Sequence, residues 1–314
     1  MHQILRIVSI FHVWTNFDLM LKARKILLLG ASGQLGQEFS CHLPSDVSLL
    51  CPTRGQLDLK TLTELPKYLD AVAPDIIINA AAYTKVDLAE TEKNLSLCLN
   101  AKMPKSLANW CAVNKCRLLH FSSDYSLPGQ GNLPQREDAK MAAVNWYGYT
   151  KALGDQAILE SGASAMVLRT SWVYSNHHKN FLVSIIKQAF IKQTLYVVCD
   201  QVGTPTPADW LTGIGINYLS SSKWSGPRLV NSVPSGFVSW HGFANAIIKE
   251  LNRLNVPIKT RYVAEVDSKK MKQIALRPKN SRLNNAVLVG DMKVAVPPWA
   301  ELLPELVSRT LKTL

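Results

Sequence analysis

The sequence predicts an α/β protein built on a doubly wound parallel sheet, with a smaller lobe in its C-terminal third. Three observations predict this fold. Short apolar runs recur through the first 200 residues, stretches of helical length separate several of them, and the first run ends in a glycine-rich turn. Strands that alternate with helices form βαβ units, whose strands are parallel. A chain of 314 residues, 47% of them hydrophobic, can bury the core that this fold requires.

The predicted strands are the short apolar runs. The first is continuous and ends in glycine, which is typical of a strand buried on both faces. The runs are Lys25–Leu29, Ser48–Cys51, Asp75–Asn79, Arg117–Ser122, Ala165–Arg169 and Leu195–Val198. The helical stretches are Gln34–His42, Leu88–Asn114 and Tyr147–Glu160. Proline and glycine at 203–207, 226–236 and 296–304 indicate a less regular lobe there.

Composition and charge argue against several classes of protein. The formal net charge is +12, but the basic residues are dispersed and no basic block with interleaved aromatics exists, so nucleic acid is not an expected partner. A basic surface also suits small anions such as pyrophosphates. The six cysteines include no CxxC pair, so we expect no metal site and no disulfides, but reduced thiols in the cytoplasm.

The N-terminal segment differs from the rest of the chain. Its apolar stretch from Ile4 to Trp14 is interrupted by Arg6 and His12, and it is too short for a membrane span. No small-residue cleavage site follows it. A segment lying on a membrane surface is the alternative. We expect residues 1–22 to be an extension outside the fold.

The first predicted turn has the features of a dinucleotide site. Gly30, Gly33 and Gly36 follow the first strand and open the first helix. Such glycines allow a tight turn, a close approach to a pyrophosphate and close helix packing, while the helix N-terminus supplies amide donors. A plain glycine-rich turn is the alternative. The GxxGxxG spacing is that of short-chain dehydrogenase/reductase Rossmann domains.

The end of the second strand indicates the cofactor. An acidic residue there binds the ribose of NAD, whereas arginine accommodates the 2′-phosphate of NADP. This chain has Arg54 and no acid before Asp58. NADPH is therefore the expected cofactor, with NADH as the alternative and a solvated charge as the other interpretation of Arg54. Small residues after the third strand, Ala80, Ala81 and Ala82, leave room for a ligand.

A Tyr-Lys pair predicts general acid chemistry. Tyr147 and Lys151 are four residues apart, on one face of a helix, whereas Tyr149 has no lysine four residues on. An ammonium near the phenol lowers its pKa and allows the phenol to donate a proton to a carbonyl oxygen. Ser122 and Ser123 follow the fourth strand, and Ser123 is our choice to hydrogen-bond that carbonyl.

These residues stand in motifs that resemble the dTDP-4-dehydrorhamnose reductases. The resemblance extends over about residues 24–314, and RTSWVY and DQxGxPT are fairly specific to this family. The matching segments are GASGQLGQE, INAAAYTKVDLAETE, FSSDY, NWYGYTKALGDQAI, LRTSWVYS, VVCDQVGTPTPADWL, FVSWHGFA and RPKNSRL. The resemblance implies NADPH-dependent reduction of the 4-keto group of a nucleotide-linked 6-deoxysugar, with dTDP-4-dehydro-L-rhamnose as the expected substrate.

The resemblance also implies roles for individual residues. Ser123, Tyr147 and Lys151 would be catalytic. A pocket for the sugar nucleotide would be lined by Val86, Ser123, Asp124, Tyr125 and Trp172. Contacts to NADP would come from Gly30, Ser32, Gly33, Gln34, Leu35, Gly36, Arg54, Asp58, Leu59, Ala80, Ala81, Ala82, Tyr83, Tyr147 and Lys151.

The family pattern implies a discontinuous division of the chain. A Rossmann domain would comprise residues 23–166 and about 203–244, and a sugar-nucleotide lobe about 167–202 and 245–314. Some members use Mg²⁺ for dimerisation through glutamates, which leaves both Mg²⁺ and a homodimer open. The chain departs from the family pattern at Ser123, where threonine is usual, at Ser126–Leu127 and at Ser175.

Two other functions remain as alternatives. A sugar-nucleotide epimerase or dehydratase shares the superfamily, but a dehydratase needs an Asp-Glu pair where this chain has Asp124-Tyr125. The second is a non-catalytic NADP-binding subunit, similar to the regulatory β subunit of methionine adenosyltransferase. The catalytic residue types favour an enzyme.

Overall fold

The computed structural model describes Leu21 and residues 24–221, 226–292 and 296–314. The expected N-terminal extension lies outside these residues, except for Leu21. That side chain is fully buried in an apolar cluster with Ile26 and Phe39. The fold therefore includes at least one residue that we expected to lie outside it.

A six-stranded parallel sheet forms the centre of the molecule, and it confirms the predicted fold class. The strand order is β10-β5-β4-β3-β1-β2, and each adjacent pair is parallel. The strands are β1 Lys25–Leu29, β2 Ser48–Leu50, β3 Ile76–Asn79, β4 Arg117–Ser123, β5 Ser164–Thr170 and β10 Arg228–Asn231. Order reverses between β1 and β3, the switch point where such sheets bind ligands.

Helices cover both faces of this sheet. Alternate residues of β1 pack on opposite sides, Ile26 and Leu28 in one apolar cluster and Leu27 and Leu29 in the other. The first cluster includes residues of α1 Gln34–His42, α8 Ala208–Leu219 and α10 Ala286–Met292. The second includes residues of α2 Glu64–Val72, α5 Met103–Asn114 and α6 Trp146–Leu159.

The long helix expected over Leu88–Asn114 is several shorter ones. They are α3 Val86–Ala89, α4 Lys93–Leu97, a π-helical turn Cys98–Lys102 and α5. Pro104 stands in the first turn of α5, where the absence of its N–H costs no helical hydrogen bond. Residues 93–114 nevertheless form one unbroken helical run through the π-helical turn, so the predicted helical stretch is interrupted only at residues 90–92.

A smaller lobe packs around a third apolar cluster. Its helices are α7 Phe181–Ile191, α9 Trp240–Arg253 and α11 Trp299–Thr313. Short strands accompany them: β6 Val173–Tyr174, β7 Thr194–Val198, β8 Val202–Gly203, β9 Thr206–Pro207, β11 Val238–Ser239, β12 Tyr262–Val266 and β13 Asn280–Ser281. The run 195–198 therefore forms β7, which pairs with β12 and lies outside the central sheet.

The helices and strands depart from the expected division of the chain into two lobes at three places. The strand β5 continues to Thr170, four residues past 166, because Arg169 and its neighbours pair with both β4 and β10. Residues 240–244 begin α9, whose Phe243 belongs to the cluster of the smaller lobe. Helix α10 packs against the large sheet through Leu288.

Candidate active site

The glycine turn joins β1 to α1 so closely that two of its glycines admit no side chain. Gly30 has φ +80°, and a Cβ there would lie 2.7 Å from the backbone nitrogen of Ala81. A Cβ on Gly36 would lie 2.1 Å from the Gly30 carbonyl oxygen. Gly33 is the N-cap of α1, and no side chain caps its amides. The turn thus presents open N–H groups at a helix N-terminus, which suits a phosphate.

A cavity of about 860 Å³ begins at this turn and reaches α6. It follows the carboxyl edge of the sheet, from the glycine turn past β2 and β3 to β4 and β5. Predicted site residues that line it are Gly30, Ser32, Gly33, Gln34, Leu35, Arg54, Asp58, Leu59, Ala80, Ala81, Ala82, Ser123, Asp124, Tyr147, Lys151 and Trp172. The structure therefore brings most of the predicted cofactor, catalytic and substrate residues to one cavity.

Four predicted site residues do not line this cavity. Gly36 is buried against Gly30 and serves packing. The Tyr83 hydroxyl donates to Glu92 Oε2 at 2.8 Å, and its backbone N–H donates to Asn100, which directs the ring away from the cofactor edge. Val86 begins the short helix α3. The fourth residue is Tyr125.

Tyr125 does not line the cavity, although it lies beside Tyr147, the predicted catalytic tyrosine. Its ring meets Tyr147 edge to face at 5.7 Å between centroids. Burial raises the pKa of Tyr125, and Arg277, which hydrogen-bonds its hydroxyl, lowers it in part. Arg277 in turn forms an ion pair with Asp87, whose pKa it lowers to about 2. The hydrogen bond with Arg277 thus holds Tyr125 in place outside the cavity lining.

The three predicted catalytic residues meet where α6 crosses the end of β4. Asn145 caps α6 by accepting from the Gly148 N–H at 2.7 Å, which fixes the first turn that carries Tyr147. Ser123 ends β4 and donates to Asp124 Oδ1 at 3.1 Å. A hydrogen bond between the Ser123 and Tyr147 side chains lowers the pKa of Tyr147 in part.

The electrostatics of Tyr147 differ from our expectation. Burial, together with the nearby Asp124 and Asp155, raises the pKa of its phenol to about 12. We had expected Lys151 to lower this pKa. The Lys151 ammonium group instead points to the Phe121 carbonyl oxygen at 2.6 Å and to His120 Nε2 at 3.1 Å.

Buried carboxylates surround the catalytic pair. Burial raises the pKa of Asp124 to about 6 and also raises the pKa of Asp155, while Arg169 lowers both. Arg169 is fully buried in β5, and its guanidinium nitrogens have no hydrogen-bond partner in the described part of the chain. The positive charge of Arg169 therefore compensates two carboxylates at close range.

Trp172 closes one end of the cavity in a strained conformation. Its φ of +49° lies in the left-handed region, which large side chains rarely adopt. The indole stacks on Trp240 of the smaller lobe at 3.6 Å between centroids. A Cβ on Gly203 would come within 2.8 Å of the indole. Packing against Trp240 and Gly203 thus holds the ring at the cavity wall.

Several polar residues of this site escaped the sequence analysis. Asn79 and His120 pair across β3 and β4, and Arg169 is the next-to-last residue of β5. A polar residue within a strand buried on both faces is a usable signal, because it requires a partner. Lys60, His178 and Lys179 also line the cavity, and nothing in their local sequence indicates it.

A glycine turn at the first βα junction and a Tyr-Lys pair beside a strand-end serine define the class of this protein. It is a short-chain oxidoreductase built on a Rossmann domain. Within the described residues, no helix is long and apolar enough to cross a membrane. The same residues hold no cluster of three His, Cys, Asp or Glu side chains suited to a metal.

Comparison with known proteins gives the family. A model of the RmlD substrate binding domain matches residues 24–312. The dTDP-4-dehydrorhamnose reductase of Shigella flexneri is 31% identical over 280 residues, which cover 87% of this chain and 94% of that protein. The chain therefore belongs to the dTDP-4-dehydrorhamnose reductase family, as its motifs predicted.

Solved structures agree with this assignment. The dTDP-4-dehydrorhamnose reductase of Bacillus anthracis, in complex with NADP, matches with a TM-score of 0.83 and 27% identity, over 93% of this chain and 100% of that one. The orthologue from Clostridium acetobutylicum matches with a TM-score of 0.84 and 28% identity, over 92% and 100% of the two chains.

Proposed function

We propose that the protein reduces the 4-keto group of a nucleotide-linked 6-deoxysugar with NADPH, and that dTDP-4-dehydro-L-rhamnose is its substrate. One observation carries the proposal. Ser123, Tyr147 and Lys151 share one cavity with the glycine turn. Relatives that bear the reductase name support the substrate class.

The cavity fits a dinucleotide phosphate. Its glycine end has no room for side chains at Gly30, so a pyrophosphate would contact backbone amides directly. Arg54 is exposed at the cavity edge and would pair with a 2′-phosphate. When bound, NADPH would supply the hydride, and the chain would supply the proton.

Tyr147 is the residue that would donate this proton to the substrate oxygen. Its pKa of about 12 means that the phenol keeps its proton at neutral pH, as an acid in the reducing direction must. Ser123 hydrogen-bonds the phenol and would hold the carbonyl oxygen beside it. Trp172 would offer an apolar face to the deoxysugar, and Asp124 would accept from its hydroxyls.

The test is NADPH oxidation against a panel of nucleotide-linked 4-keto-6-deoxysugars. We expect turnover with the dTDP-linked 4-keto sugar and slower turnover with other nucleotides. Tight NADPH binding without oxidation on any member of the panel would contradict the proposal and favour the regulatory-subunit alternative. Release of water or a change of configuration without NADPH oxidation would favour a dehydratase or epimerase.

A further inference from the structure

A line of polar groups runs through the buried interior behind Lys151. Asn79 Nδ2 lies 3.0 Å from His120 Nδ1, and His120 Nε2 lies 3.1 Å from Lys151 Nζ. The line ends where Nζ donates to the Phe121 carbonyl oxygen at 2.6 Å. All three side chains are at most 2% exposed. Each group must therefore find its hydrogen-bond partner within this line or beside it.

The orientation of the Asn79 amide sets the direction in which hydrogen bonds are donated along the line. Its Oδ1 accepts from the backbone N–H of Ala81 at 3.2 Å, so the oxygen cannot also face the histidine. Its Nδ2 carries two hydrogens and donates towards Met103 Sδ at 3.5 Å and to His120 Nδ1. His120 Nδ1 is therefore an acceptor. Turning the amide over would leave the partly buried Ala81 N–H facing another donor.

The tautomer of His120 follows from this direction. Burial, the largest cause, lowers the pKa of His120 well below its usual value, so the imidazole is neutral. A neutral imidazole carries one N–H. Since Nδ1 accepts, the proton is on Nε2, and it points at Lys151 Nζ. An ammonium has only donors and cannot accept this bond, whereas an amine has a lone pair that can.

We propose that His120, fixed in its Nε2–H tautomer by Asn79, is a positioning residue that holds Lys151 as an uncharged amine wherever Nζ lies against it. In that position Nζ accepts from His120 and donates to Phe121. Protonation of Lys151 then requires Nζ to leave His120 and turn to the cavity. Charge and position of the lysine are thereby coupled.

Burial and other charged groups also change the pKa of Lys151. Burial lowers the pKa of Lys151 to about 8, and Asp155, one turn further along α6, raises it in part. Asp155 is itself held by the Ser122 hydroxyl and faces Arg169 of β5. Asp124, which follows β4, and Tyr147, one turn earlier on α6, line the same cavity as Lys151. The His120 Nε2–H lowers the pKa of Lys151 beyond the effect of burial.

The catalytic meaning of this arrangement rests on the proposed function. An ammonium that assists Tyr147 would form only after Nζ has left His120. The tautomer itself does not depend on which reaction the protein catalyses, so it can be measured independently.

Asn79→Asp tests the proposal, because it reverses the direction of the hydrogen bonds along the line. The carboxylate has nearly the same size as the amide that it replaces. One carboxylate oxygen would keep the Ala81 N–H and the other would accept from His120 Nδ1–H, so Nε2 would accept from a Lys151 ammonium. Long-range ¹H–¹⁵N spectra of [¹⁵N]histidine protein report the tautomer, with His120→Gln identifying the resonance. The ¹³Cε shift of labelled lysine, identified with Lys151→Arg, reports the pKa of Lys151.

We expect the Nε2–H tautomer in the unsubstituted protein and the Nδ1–H tautomer in Asn79→Asp, with the pKa of Lys151 raised by about one unit or more. Asn114→Asp, at an exposed site on α5, is the control and should change neither. An Nδ1–H tautomer in the unsubstituted protein would overturn the proposal, even where Asn79→Asp fails to fold. An unchanged Lys151 pKa in folded Asn79→Asp would also overturn it. Lack of reductase activity would contradict only the proposed function.

Discussion

Arg54 is the residue that we expect to distinguish NADPH from NADH. It follows β2, is exposed and lines the cavity. We predict that NADPH binds more tightly than NADH and that Arg54→Ala narrows the difference, because a charge-assisted contact of about 1.5–3 kcal/mol is lost. Fluorescence titration measures both affinities. Equal affinities for the two cofactors in the unsubstituted protein would contradict this role.

Lys151 should make stability depend on pH. Its pKa falls from 10.5 in the unfolded chain to about 8 in the fold, so below pH 8 the unfolded state binds its proton more tightly and the lysine destabilises the fold. This penalty disappears as the pH rises from about 8 to 10.5. Lys151→Met should therefore gain on the order of 1–3 kcal/mol at pH 7 and lose that gain at high pH.

Urea unfolding across this pH range measures the effect of Lys151→Met. Lys67→Met, at an exposed site, is the matched control. A variant that is less stable than the unsubstituted protein at pH 7 would contradict the account, since it would mean that the lysine stabilises the fold.

At the residue scale, the sequence predicts the candidate catalytic residues better than it predicts the residues that contact them. Tyr147, Lys151 and Ser123 stand in a recognisable order, and the fold brings them together. The contacts of Lys151 could not be predicted, because His120 becomes its neighbour only when α6 packs against β4. The raised pKa of Tyr147 likewise follows from burial, which no local pattern shows.

At the scale of elements, the β1–α1 junction is the most constrained part of the fold. Gly36→Ala would place a Cβ 2.1 Å from the Gly30 carbonyl oxygen, so α1 must move away from the turn. We expect a loss of about 1–3 kcal/mol or more, the cost of overpacking. Gly33→Ala is the control in the same turn, since its Cβ would lie at an ordinary 3.4 Å from the same oxygen.

Chemical denaturation of the two glycine variants decides this prediction. Gly36→Ala should unfold at a clearly lower denaturant concentration than Gly33→Ala. If the two variants unfold together, close packing at Gly36 is not what the junction requires.

Elements that an apolar run and a glycine turn mark clearly were predicted well. Elements whose place in the fold depends on long-range pairing were not. The bounds of β1 and α1 match the prediction, because a continuous apolar run and a glycine turn mark them. The run 195–198 resembles a sheet strand, yet it forms β7 of the smaller lobe. Pairing depends on the path of the chain through α7, and a four-residue apolar run carries no information on that path.

At the scale of the whole molecule, the two lobes meet along the cavity. Trp172 and Trp240 stack across this boundary, and Gln34 of α1 accepts hydrogen bonds from Ser175 and Asn180 of the smaller lobe. Long-range contacts of this kind decide where the lobes divide, so the expected boundaries could only be approximate. The proposed division of roles between the lobes stays a prediction.

Leu21 is the first residue that the structure describes, and its side chain is fully buried. The family resemblance starts near residue 24, so deletion of residues 1–19 should leave cooperative melting and NADPH binding intact. Leu21→Ala should cost about 2–5 kcal/mol, because the side chain is fully buried in the core. Thermal melting of both variants is the measurement. Loss of cooperative melting in the truncated chain, or no effect of Leu21→Ala, would place the start of the fold elsewhere.

Turnover by Tyr147→Phe tests the central claim most directly. The substitution keeps the ring packed against Tyr125 and removes only the proposed acid. We predict that NADPH binding persists while reduction of a nucleotide-linked 4-keto-6-deoxysugar slows by about 10²–10⁴-fold, the usual contribution of general acid catalysis. Reduction by Tyr147→Phe at the rate of the unsubstituted protein would contradict the claim, because the proton would then come from another group.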